Sequence, residues 1–339
     1  MANTLYPARW WKIVEGKTIK CLLCPRHCVL REGQHGFCFS RQNHQGSMVL
    51  STYGKPCGMG IDPVEKKPLN HFYPGSSVLS FGTIGCNMDC SFCQNSSLSR
   101  GENIDLYQEE ISPEIIAYTA SRSKCTSVAF TYNEPIVFAE YAIETAKAEH
   151  ALGLKTVAVT NGYIESISRK EFFEDIDAAN VDLKAFSNTF YKELTFSSLK
   201  PVLETLLYLK KETNVWLEIT NLLIPGKNDD VEELKKMCNW IVSHLDSNVP
   251  LHFSAFHPSF RMMDTPSTSL DIIQRAYEIA LSEGVNYVYT GNIYYQKGEI
   301  TFCPECKSEL IVRNGYEIER INLKENCCFK CGHVIAGCF

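Results

Sequence analysis

A chain of 339 residues, 45% hydrophobic and 21% charged, is long enough for one large core with small appended modules and has a globular rather than a disordered composition. Its formal net charge of −6, without a long basic run, argues against a nucleic-acid partner, and no stretch reaches the length of a membrane span. The start, MANTLYPARWWKIVEGK, has no apolar signal segment, so a cytoplasmic location is expected.

Sixteen cysteines stand out, and most fall in tight groups. In a long chain without a secretory signal such groups read as metal sites rather than disulfides. Residues 1–75 carry the first group, Cys21-x2-Cys24-x3-Cys28 and then Cys38. Four thiolates hold either zinc or an auxiliary Fe–S cluster. The polar neighbours Arg26, His27, Arg31 and His35 favour zinc, a staple for a segment with too few apolar residues to order itself.

Between residues 76 and 292 short apolar runs alternate with helical patterns. Strands are predicted at Val78–Phe81, Val128–Tyr132, Thr156–Thr160, Val181–Leu183, Trp216–Ile224, His252–Phe256 and Tyr287–Tyr289. Helices are predicted at Pro113–Ser123, Ile136–Leu152, Arg169–Ile176, Lys200–Glu212, Val231–Leu245 and Leu270–Ser282. Strand–helix alternation implies a parallel sheet, and six or seven units suit an α/β fold with a partial (β/α)6-type barrel.

The run Gly82–Cys93 follows the first of these strands and holds Cys86, Cys90 and Cys93. Three thiolates are one fewer than full ligation of a [4Fe–4S] cluster requires. The open iron can then chelate the amino and carboxylate groups of S-adenosylmethionine, and one electron can break its sulfonium bond to release a 5′-deoxyadenosyl radical. Residues 293–339 carry Cys303-x2-Cys306 and Cys328-x2-Cys331, spaced like a zinc ribbon with a closed, structural Zn site; a rubredoxin-like iron site is the alternative. Cys125 and Cys238 read as small buried apolar residues.

The CxxxC-x-aromatic-C order of Cys86, Cys90, Phe92 and Cys93 resembles the signature of the radical SAM superfamily. That resemblance implies that Phe92 lies against adenine and that Asn133 and Glu134 bind the methionine amine. It further implies S-adenosylmethionine contacts at Thr160 and Asn161, at Asp182 and Lys184, and at His257, all at strand ends. Cys-Leu-Leu-Cys-Pro-Arg-His-Cys at 21–28 and the run Gly60–Leu69 are similar to the AmmeMemoRadiSam-system radical enzymes, a group related to pyruvate formate-lyase activating enzymes. Implied partners are an electron donor such as flavodoxin or ferredoxin and a Memo-like or AMMECR-type protein. The implied activity is hydrogen abstraction from a substrate the sequence does not name. Activation of a glycyl-radical enzyme is a specific version, and a non-catalytic metal-binding scaffold is the reading from another class. Asp62, Glu65, Lys66 and Lys67 read as a surface ion-pair face or as part of the active-site rim.

Overall fold

The computed structural model describes residues 5–101 and 110–339. Its centre is an eight-stranded sheet of β1 (Cys57–Pro63), β2 (Ser77–Gly82), β3 (Ser127–Phe130), β4 (Lys155–Thr160), β5 (Ala178–Asp182), β6 (Trp216–Leu223), β7 (Leu251–Ala255) and β8 (Val288–Gly291). Spatial order follows chain order. Strands β2 to β8 pair in parallel, and β1 runs antiparallel along the β2 edge. Among the described residues β1 and β8 are not paired with each other, so the sheet stays open.

All seven predicted strands are present, within three residues at each end. β1 was not predicted. Its Gly58, Gly60 and Pro63 disfavour a strand, but β2 offers a free row of backbone donors and acceptors, and pairing there overrides local preference. The central sheet thus recruits residues 57–63 from the expected 1–75 extension.

Among the described residues six longer helices lie between the parallel strands: α1 (Pro113–Arg122), α2 (Ala139–Ala151), α3 (Ser166–Phe173), α4 (Leu199–Glu212), α5 (Val231–Trp240) and α6 (Leu270–Ser282). Ser112 caps α1 by accepting the Ile115 N–H, and Pro113 supplies a preset φ where no donor is needed. The helix predicted from Ile136 instead begins as a tight 3₁₀ turn over Pro135–Phe138, which Glu134 caps by accepting the Ile136 N–H. α5 continues to Leu245 through one π-helical turn.

Val78, Ala129, Val157 and Ala178 pack on one face near the amino ends of their strands, against Val64, Leu69 and Phe72. That segment closes the amino end of the sheet and leaves the carboxyl end for ligands. Residues 5–50 form two small antiparallel sheets, and Ile19, Leu23, Leu30, Met48 and Leu50 merge with Phe81 and Phe130 in the main core. At the other terminus Ile300–Phe302, Glu309–Asn314 and Glu317–Ile321 form a three-stranded sheet. Among the described residues no helix is long and apolar enough to cross a membrane.

Candidate active site

The loop after β2 is built around Gly85. Its φ of +103° and its packing exclude a side chain: a Cβ there would lie 2.0 Å from the Cys38 carbonyl oxygen. The Ser40 hydroxyl donates to the Ile84 carbonyl at 2.7 Å and fixes the same contact. Beyond it Cys86, Cys90 and Cys93, each half-buried, line a pocket of about 250 Å³. Their sulfurs are not gathered into the close-packed set that one ion requires, since among the described residues no such set within 4.8 Å includes them. Separate thiols around a pocket fit a multinuclear cluster in which each binds its own iron. Burial pushes the Cys86 and Cys90 thiols up, Cys90 to about 12, so a bound metal has to stabilise the thiolates.

The carboxyl ends of the parallel strands supply the other walls. Glu134 is 3% exposed. Its carboxylate accepts the Thr160 hydroxyl at 2.6 Å, the Asn161 N–H at 2.7 Å and the Ile136 N–H at 3.1 Å, clamping the ends of β3 and β4 together. Burial dominates these bonds and raises its pKa to about 7. Asn133 lines the pocket too, but its side chain is engaged: Oδ1 accepts the Thr83 N–H and Nδ2 donates to the Gly85 carbonyl at 2.8 Å. Asn161 donates to Asn87 Oδ1 at 2.8 Å and points the same amide toward Cys86 Sγ at 3.9 Å.

Asp182 and Lys184 form a 2.7 Å ion pair on the pocket wall. Burial opposes the Lys184 charge, and the Asp182 carboxylate and Cys90 more than offset it, so its pKa stands above the ordinary lysine value. Phe92 is buried, lines the pocket and packs against Phe190, with ring centroids 5.7 Å apart.

Two expected contacts lie elsewhere. Thr160 is spent on Glu134 and does not line the pocket. His257 is exposed beyond β7, with its ring nitrogens near Ser267 Oγ at 3.3 Å and the Asn292 carbonyl at 3.2 Å. In their place Tyr132, Thr220, Ser254 and Asn292 line the pocket. The sequence signal that could have found them is position, one polar residue at or near the carboxyl end of a parallel strand. Tyr132 holds a φ of +70°, its hydroxyl 3.2 Å from Asp62. Asp62 pairs with Lys66 at 2.8 Å and with Lys67 at 2.7 Å; Lys67 is 2% exposed, whereas Lys66 stays open to solvent.

Thr220, Ser254 and Asn292 are shared with a second cavity of about 500 Å³. Arg313 and Tyr316 of the C-terminal sheet wall it, together with Glu65 and His252. His252 donates from Nε2 to Glu218 at 2.6 Å, and its Nδ1 has no partner among the described residues. Glu218 also accepts the Asn70, His71 and Trp216 N–H groups. Burial pushes the Glu218 carboxyl up, but His252, His71 and Trp216 bring it below the usual range, so it is ionised and accepts the His252 Nε2–H.

Cys303, Cys306, Cys328 and Cys331 converge on one point, with all four sulfurs within 4.8 Å of one another and contacts of 3.5 and 3.6 Å. Cys21, Cys24, Cys28 and Cys38 meet around a separate small cavity beside Asn87.

Residues 81–241 match the Radical SAM superfamily. An uncharacterized protein of Methanocaldococcus jannaschii is 38% identical over 330 residues, covering 97% of this chain and 98% of that protein. The pyruvate formate-lyase-activating enzyme of Listeria monocytogenes serovar 1/2a is 27% identical over 168 residues, 46% of this chain and 66% of that enzyme. The crystal structure of a radical SAM methyltransferase from Sphaerobacter thermophilus superposes with a TM-score of 0.52 at 15% identity, over 65% of this chain and 67% of that one, a likeness of fold alone.

Proposed function

Because this chain belongs to the radical SAM superfamily and is related to pyruvate formate-lyase activating enzymes, we propose that it abstracts hydrogen from a substrate held beside Cys86, Cys90 and Cys93. The observation that carries this reading is the pocket itself, in which the three separated thiols share one wall system with the polar strand ends. A [4Fe–4S] cluster bound there supplies, with one added electron, the reductive cleavage of S-adenosylmethionine into methionine and a 5′-deoxyadenosyl radical.

The chain's own residues bind, orient and exclude water. Phe92 offers an aromatic face to adenine, and Val159 and Leu222 keep the pocket floor dry. Asp182 and Lys184 present opposite charges to the ammonium and carboxylate of the methionine moiety. Glu134 fixes the backbone on which Asn161 sits. The 500 Å³ cavity has the size of a small-molecule site and adjoins the first pocket, so the substrate is a small polar molecule. His252 lines that cavity with Nε2 engaged by Glu218, which leaves Nδ1 for a polar group of that substrate.

The resemblance of the motifs at 21–38 and 60–69 supports membership of the AmmeMemoRadiSam-system enzymes, which would bring a Memo-like or AMMECR-type partner and a flavodoxin or ferredoxin as electron donor. The sequentially ordered parallel strands support a partial (β/α) barrel, and the four converging C-terminal sulfurs support a structural zinc. Similarity to the activating enzymes favours glycyl-radical activation as the second reading.

The test is anaerobic reconstitution with iron and sulfide, reduction, and assay for 5′-deoxyadenosine and methionine. Wild type should form both products, and Cys90→Ala should form neither. Equal turnover by Cys90→Ala, or a wild type that holds iron yet cleaves no S-adenosylmethionine, would reject the reading in favour of a metal-binding scaffold.

A further inference from the structure

Cys21, Cys24, Cys28 and Cys38 form a thiol site apart from the central pocket. All four wall one small cavity, with Leu23, Phe37 and Val137 around them. Cys21, Cys24 and Cys38 are buried within the main hydrophobic core, and Cys28 packs against it. This is not the solvated setting that the neighbouring Arg and His residues suggested. Arg26 lies over the Phe37 ring at 3.4 Å and donates to the Asn87 and Phe196 carbonyls, and Arg41 is 1% exposed. The two cations offset the negative charge of thiolates held in an apolar core.

The separation of the sulfurs distinguishes the candidate metals. Tetrahedral zinc with Zn–S bonds of about 2.3 Å brings its sulfurs to about 3.8 Å from one another. The C-terminal four meet that requirement, with contacts of 3.5 and 3.6 Å. They are, among the described residues, the one group of three or more such ligand atoms within 4.8 Å of one another, so no three of the N-terminal sulfurs approach that closely. The same is true of Cys86, Cys90 and Cys93. A cubane spreads its thiolates because each binds a different iron. The four sulfurs wall one small cavity instead of meeting at a single point. Gly36 borders that space: a Cβ there would lie 3.7 Å from Cys38 Sγ and 3.9 Å from Cys28 Sγ. The Phe37 N–H donates to Cys28 Sγ at 3.5 Å, a bond of the kind that tunes cluster potentials.

We infer that Cys21, Cys24, Cys28 and Cys38 bind a second [4Fe–4S] cluster in preference to zinc. Four thiolates leave no iron open, so this site does not bind S-adenosylmethionine. It lies directly against the loop of the central site, since Asn87 borders its cavity and the Cys38 carbonyl packs on Gly85. The inference stands whether or not the central site cleaves S-adenosylmethionine.

The experiment uses the full chain as Cys86→Ala/Cys90→Ala/Cys93→Ala, reconstituted anaerobically with iron and sulfide, so that the central site contributes nothing. About four irons and about four sulfides per chain, with the Mössbauer spectrum of a cubane, are expected. Adding Cys24→Ser and Cys28→Ser should remove both. Iron that persists after those replacements overturns the inference, as does a triple variant that holds zinc at Cys24 and Cys28 instead. The native mass of wild type prepared anaerobically decides the matter if the fivefold variant does not fold. Two clusters with one zinc support the inference, and one cluster with two zincs reject it.

Discussion

At the scale of single residues, two positions show backbone packing and burial acting on function and on stability. Gly85 is held by a left-handed φ and by the Cys38 carbonyl, so Gly85→Ala costs about 1 kcal/mol in conformation alone, and the 2.0 Å clash adds to it. The loop that presents Cys86 would have to move away from the N-terminal segment. We expect Gly85→Ala to lose most S-adenosylmethionine cleavage, at least tenfold, and to lower the iron retained; retention of both would show that the contact is not needed. His71 is the second case. Its Nδ1 donates to the Ala336 carbonyl at 2.6 Å and its Nε2 accepts the Tyr289 hydroxyl at 2.5 Å, an arrangement for the neutral ring. Burial lowers its pKa from 6.5 to about 4. The unfolded chain therefore binds a proton that the folded one refuses, and the stability present above pH 6.5 is lost as pH falls toward 4. The loss amounts to about 3 kcal/mol for this one group. Urea unfolding across that window should show the loss in wild type and a flatter profile in His71→Gln; parallel profiles would mean that His71 titrates normally.

Among the elements, the contact between α2 and the N-terminal segment combines one buried ion pair with the Tyr6 and Tyr53 hydroxyls, which donate to Glu144. Arg41 and Glu140 meet at 2.6 Å with each side chain 1% exposed, and Glu140 also accepts the Arg9 N–H at 2.6 Å. Removing only the carboxylate leaves a guanidinium without its counter-charge inside the core. Glu140→Ala should cost about 3–5 kcal/mol, whereas Arg41→Met combined with Glu140→Leu should recover much of that. Denaturant midpoints of the three proteins check this, and a Glu140→Ala protein within 1 kcal/mol of wild type, by the yardstick of about 1 kcal/mol for an exposed pair, would place the pair in effective contact with solvent. The same pair seats Arg41 beside the N-terminal cysteines, so α2 helps to hold a cysteine cluster that lies far from it in sequence.

Across the whole molecule, the C-terminal module does more than cap the chain. Arg313 Nη2 donates to the Asn70 carbonyl at 2.7 Å, and the Cys338 N–H donates to the His71 carbonyl at 2.7 Å. Through Arg313 and Tyr316 the module also walls the larger cavity. A metal held by its four cysteines would therefore support the larger cavity as well as the module's own fold. A closed zinc site contributes about 10 kcal/mol of apparent binding free energy in isolated peptides. Cys306→Ser should release one zinc and lower the melting temperature, while the spectrum of the cluster at Cys86, Cys90 and Cys93 persists. Unchanged zinc content in Cys306→Ser would refute the assignment, and loss of the central spectrum would show that the module is needed for cluster retention.

The sequence by itself determined the features that depend on near neighbours in the chain. Strand and helix order followed from hydrophobic period, the α1 start from Ser112 and Pro113, and the central and C-terminal cysteine groups from the spacing of their cysteines. Tertiary structure decided whatever depends on segments far apart. Pairing with β2 made β1 a strand against its composition, and strand-end geometry brought Thr220, Ser254 and Asn292 to the pocket while leaving His257 outside. The N-terminal cysteines show the reason most directly. Their spacing in the chain is compatible with zinc and with iron–sulfur ligation alike, and their polar neighbours pointed to a solvated staple. The separation of the four sulfurs is set by how residues 21–38 pack on the core and on the Cys86 loop, and no local spacing encodes that distance.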